Sequence, residues 1–100
     1  MPRAQLYCPP GNIWSPWTRL EGSCVWSMGN ANFSTTISIE PLGDGAILVG
    51  EVKYYAPGGF QRVDTFFDTI TITRDGRSSD IVEVRCRNTN FLGTAVNVDY

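Results

Sequence analysis

"TITITRDGRSSDIVEVRC", residues 69–86, decides the fold class. Ile70 and Ile72 precede an Asp-Gly turn, Val82, Val84 and Cys86 follow it, and polar residues stand between them. Successive side chains leave an extended strand on opposite sides, so this period of two puts one face on a core and the other on water. The water face reads Thr69, Thr71 and Thr73, then Glu83, Arg85 and Arg87. A Gly/Asp turn between two such runs predicts an antiparallel hairpin.

The same grammar extends outward. Strands are predicted over Ala4–Cys8, Ser23–Met28, Phe33–Glu40, Ala46–Tyr55, Arg62–Thr73, Ile81–Arg87 and Thr94–Asp99, with Ile37, Ile39, Val96 and Val98 turned inward. "PLGDG" at 41–45 and "APGGF" at 56–60 predict further hairpins, because Gly and Asp tolerate positive φ and bond the local backbone. Within 62–73 the phase conflicts: Val63, Thr65 and Phe67 share one parity and Ile70 and Ile72 the other. A β-bulge near Asp68 reconciles them. The reading is all-β: an antiparallel β-sandwich or flattened β-barrel of about seven strands, hairpin-connected as a meander with one Greek-key crossing, with little or no helix. Its 100 residues suit a single β domain over 1–100.

Composition narrows the chemistry. The chain is 42 % hydrophobic and 18 % charged, too apolar for disorder, and its net charge of -2 offers no global attraction to nucleic acid or to an anionic membrane. No apolar run approaches the roughly 20 residues of a spanning helix and no signal-peptide pattern opens the chain, so a soluble protein is expected, its compartment undetermined. There is no histidine and one lysine, Lys53, which removes the Ser-His and Cys-His nucleophile pairs. Glu51, Asp64, Asp68 and Glu83 supply carboxylates, but a two-carboxylate site needs a deep cleft in a larger scaffold. Asp75 and Asp80 lack the order of ligands of a calcium loop, and Arg77 lies between them. The expectation is no enzyme, no metal and no cofactor.

Cys8, Cys24 and Cys86 are an odd number without zinc spacing, so at least one thiol is free. Cys24 and Cys86 read as buried small side chains, with a bridge between them as the other reading. "NFS" at 32–34 is an N-glycosylation triplet, relevant only in a eukaryotic secretory setting. Arg74, Arg77, Arg85 and Arg87 crowd 14 positions with Asp75, Asp80 and Glu83 between them. Cross-strand ion pairs explain that better than a phosphate clamp.

The aromatic residues are the stronger lead. Trp14 and Trp17 flank Ser15 and Pro16 in "GNIWSPWTRLEG", too irregular for a core strand, and Trp26 follows. Such rings either cover the open end of a sandwich or form a platform for a sugar or a protein partner. Tyr54 and Tyr55 leave their strand on opposite faces, and Phe60 lies beyond the APGG turn. The sequence therefore predicts a non-enzymatic binding or assembly module acting through protein contact, self-association to a homo-oligomer included, with a carbohydrate- or small-ligand-binding module as the alternative. Trp14, Trp17, Tyr54, Tyr55, Phe60, Arg85 and Arg87 are the candidate binding residues. Strand Thr94–Asp99, without Lys or Pro, is the predicted free edge for assembly.

Overall fold

The computed structural model describes residues 2–21, 31–76 and 82–100. Eight strands run through them: β1 (Arg3–Cys8), β2 (Thr18–Arg19), β3 (Phe33–Pro41), β4 (Leu48–Ala56), β5 (Phe60–Phe66), β6 (Thr69–Arg74), β7 (Glu83–Asn88) and β8 (Thr94–Asp99). They form two antiparallel four-stranded sheets, β1-β8-β3-β6 and β2-β7-β4-β5, packed face to face as a β-sandwich. Four of the pairings are nested: β1 with β8, β2 with β7, β3 with β6 and β4 with β5. The chain is thus one long hairpin bent over itself, and the β3–β8 and β4–β7 ladders close it into two sheets. This is jelly-roll connectivity.

The inward faces match the alternation. Ile37, Ile72, Val84, Cys86, Val96 and Val98 are at most 2 % exposed, and Leu6, Leu20, Val52 and Phe66 complete the core between the sheets. The outward residues of the first sheet bond across strands: Thr36 with Thr71 and Ser38 with Thr69 through their hydroxyls, both at 3.0 Å, Gln5 with Asn97 at 3.2 Å, and Arg3 with Asp99 at 2.7 Å. The threonine row on β6 is the water side of a half-buried sheet.

The connections depart from the predicted meander. Of the three Gly-rich turns, 56–60 makes a hairpin and 41–45 carries the chain from one sheet to the other; residues 77–80 of the third lie outside the described residues, and β6 and β7 on either side of it belong to different sheets and are not partners. A corner between sheets needs the same sharp reversal as a hairpin, and local composition does not separate them. The phase change near Asp68 is also a corner. β5 ends at Phe66 in one sheet and β6 starts at Thr69 in the other, so each strand keeps its own parity without a bulge. Phe66 enters the core while Val63 and Phe67 are 49 % and 66 % exposed. β8 lies between β1 and β3, which removes Thr94–Asp99 as a free edge. Arg74, on the other sheet from Arg85 and Arg87, is buried over the Phe33 ring at 4.9 Å, so no common basic strip forms. The predicted strand Ser23–Met28, with Cys24 and Trp26, lies outside the described residues.

One glycine is required by packing. Gly50, mid-strand in β4, pairs with Phe66, and a Cβ there would meet the Phe66 ring at 2.7 Å and Ile39 Cδ1 at 3.1 Å. The ring occupies the space a side chain at 50 would need. Gly50→Ala is expected to destabilise the fold by about 1–3 kcal/mol in chemical denaturation, and Phe66→Leu in the same chain to return part of that loss as non-additivity.

Candidate binding surfaces

In this antiparallel arrangement the loops β1–β2, β3–β4, β5–β6 and β7–β8 share one end of the sandwich. The β3–β4 and β7–β8 loops are knit around Asn88, a polar side chain with no exposure at the end of β7. Its Oδ1 accepts the Ile47 N–H at 2.9 Å and the Asn90 N–H at 3.1 Å, and its Nδ2 donates to the Leu92 carbonyl at 2.9 Å. Thr89 N–H donates to Ile47 O and Gly11 N–H to Phe91 O, both at 2.9 Å, and the Asn90 amide donates to Gly45 O. Gly43 N–H donates to Thr94 Oγ1 at 2.9 Å. A buried amide with its bonds satisfied by backbone specifies loop geometry strongly, since any other arrangement leaves polar groups unpaired.

This frame carries a set of exposed apolar side chains beside the exposed Asp44 and Asp68. Among the described residues, Ile13, Leu42, Ile47, Phe67, Phe91 and Leu92 are six of the nine large hydrophobics exposed to solvent, and all six sit on these loops. Pro41, Ile47, Phe67 and Asp68 line a groove of about 330 Å³ between two of them. Phe91 is 63 % exposed with φ of 71°, a left-handed conformation that costs a residue with a Cβ roughly 1 kcal/mol or more. Its N–H donates to Asn88 O at 3.2 Å and its carbonyl accepts from Gly11, so both sides of the residue are held.

A second surface lies on the outer face of the β2-β7-β4-β5 sheet. Ser15 N–H donates to Cys86 O at 2.8 Å and Cys86 N–H to Ser15 Oγ at 3.0 Å, while three residues on Thr18 pairs with Val84. Pro16 and Trp17 therefore oppose the single residue Arg85. That extra residue is a bulge, and Pro16, which has no N–H to leave unbonded, suits it. The bulge turns both indoles to the same face. Arg85 lies 4.6 Å from the Trp14 ring and 4.5 Å from the Trp17 ring, Arg87 5.1 Å from Trp14, and Lys53 4.5 Å from Trp17. Glu51 receives Arg85 at 2.6 Å, Glu83 receives Lys53 at 3.5 Å, and Asn12 Oδ1 accepts from Arg87 at 2.8 Å.

Of the predicted binding residues, Trp14, Trp17, Arg85 and Arg87 thus form one cluster, and Tyr55 shares their face of the sheet. The indoles lie along that face and do not cap an open end. Tyr54 points the other way: it is buried and donates its hydroxyl to Asp64, which also takes Arg62 at 3.2 Å. Phe60 stands apart on the β4–β5 hairpin, 70 % exposed. Glu51 and Glu83 face outward while Asp64 faces inward, so the carboxylates do not converge. Among the described residues no three His, Cys, Asp or Glu side chains cluster as metal ligands, and no helix is long and apolar enough to cross a membrane. No protein-family model, curated protein or solved structure matches the chain.

Sequence reasoning missed the loop end. Asn88 is one polar residue in a turn, and nothing in "NTNFLG" marks its burial or the backbone of Phe91. The Tyr54 hydroxyl is pushed up to about 12, by burial first and then by the hydrogen bond and charge of Asp64. An unfolded tyrosine ionises near pH 10, so between about 10 and 12 the unfolded chain releases this proton and the folded chain keeps it. The stability tied to Tyr54 is full below pH 10 and is lost as pH rises through 12. Denaturation midpoints from pH 9 to 12 should fall by on the order of 2 kcal/mol more in the wild type than in Tyr54→Phe.

Proposed function

We propose that this chain is a non-enzymatic binding and assembly module that makes protein contacts, with copies of itself among them, through the loop end of the sandwich. The observation that carries this reading is Phe91, a large ring projected into solvent from a left-handed backbone that the surrounding loops enforce. Strain held by a structure that over-determines it, at an exposed aromatic residue, is characteristic of recognition sites. The neighbouring apolar side chains and the Ile47–Phe67 groove extend the patch, and such patches rimmed by polar groups mark contact surfaces. Arg85 and Arg87 already engage Glu51 and Asn12, which supports leaving nucleic acid out.

Sedimentation velocity over a wide concentration range tests it. The expected result is a discrete oligomer that Phe91→Gly weakens at least tenfold while its thermal midpoint stays level or rises, because glycine relieves the positive φ. A strict monomer at millimolar concentration overturns self-association.

The cation-backed pair Trp14 and Trp17 favours a second reading, a carbohydrate or small ligand stacking on the indole faces. Tryptophan emission should then shift on titration with sugars and fail to do so in Trp17→Ala. Silence across a broad glycan panel removes this reading.

A further inference from the structure

Cys8 on β1 and Cys86 on β7 belong to different sheets, yet both are fully buried in the same core cluster. Both are free thiols, each perturbs the other's ionisation, and β1 packs against β7 across the core. Cys86 is held on its strand by the reciprocal bonds to Ser15, at 2.8 and 3.0 Å. A Cys24–Cys86 bridge is the lesser of the two sequence readings; Cys24 lies outside the described residues, and the fold places Cys8 in the same core cluster as Cys86.

We propose that Cys8 and Cys86 are a disulfide-forming pair, a covalent staple between the two sheets. The oxidant is a small disulfide such as oxidised glutathione. A Cys8 thiolate attacks one of its sulfurs, the glutathione S–S bond breaks, and one glutathione leaves as a thiolate. Cys86, deprotonated, then attacks the Cys8 sulfur of the mixed disulfide and expels the second glutathione. Two S–H bonds are replaced by one S–S bond, and the two protons and two electrons end on two molecules of reduced glutathione.

Burial decides when this happens. In the closed sandwich neither sulfur reaches solvent, and burial pushes both thiols up, Cys86 to about 12, so attack on an external disulfide is suppressed. The bond forms as the sheets come together and is shielded afterwards. A link spanning positions 8 to 86 restricts most of the unfolded chain, where loop-closure entropy is large.

The test is to refold the denatured, reduced chain in a glutathione redox buffer, block free thiols by alkylation, digest with trypsin without reductant and read the peptides by mass spectrometry. Cleavage after Arg3, Arg19, Lys53, Arg85 and Arg87 leaves the three cysteines on separate peptides. The expected product joins the Cys8 peptide to the Cys86 peptide, with Cys24 alkylated, and Cys24→Ser leaves the link unchanged. Oxidation of the reduced, already folded chain should be at least tenfold slower, and the linked form should melt roughly 10–20 °C higher. Recovery of Cys24 in the major link, or of all three cysteines alkylated, overturns the proposal. So does a linked form that melts no higher than the reduced one, because a native pair needs no distortion to bridge.

Discussion

The ladders that join β8 to β3 and β7 to β4 are the constraint on which the rest of the structure depends. Without them the chain is a long, twisted double strand with one apolar face open to water. With them it folds onto itself, and the apolar faces of β1, β8, β3 and β6 meet those of β2, β7, β4 and β5. Main-chain hydrogen bonds choose the neighbours, and burial of side chains such as Ile37, Val84 and Val96 drives the two layers together. The same closure gathers four loops at one end, where Asn88 ties the β3–β4 loop to the β7–β8 loop.

How much of this was legible depends on whether the information is local. Inward and outward faces are set by a period of two, so Ile70 against Thr71 or Val84 against Arg85 is readable from adjacent residues. Partner choice is not local. "PLGDG" and "RDGRSSD" contain what a hairpin needs and what a corner needs, and only a distant strand decides between them. The parity shift at Phe67 and Asp68 was visible, but a bulge and a change of sheet produce the same shift in sequence.

The candidate surfaces divide in the same way. Trp14 and Trp17 stood out because rings in an irregular segment are conspicuous, and Arg85 and Arg87 because they alternate on a strand. That these four residues meet follows from one extra residue at Pro16, which composition does not reveal. The loop end was invisible. Its apolar residues come from four separate connections, and the backbone of Phe91 is fixed by Asn88 and Gly11, not by its immediate neighbours.

The nested pairing also has consequences for how the chain reaches this state. Among the described strands, β4 and β5 are the one pair adjacent in sequence and sheet, with Ala56 opposite Phe60, whereas Arg3 meets Asp99 across nearly the whole chain. Chain closure is entropically cheapest at the hairpin, and each nested pair shortens the loop the next must close, so structure should zip outward from residues 56–60 toward the termini. A topology so dominated by distant partners belongs to the slow, millisecond-to-second class of folders. During that interval the half-built sheets expose edges that the finished sandwich covers, and crowding by other unfinished chains is the hazard this architecture carries.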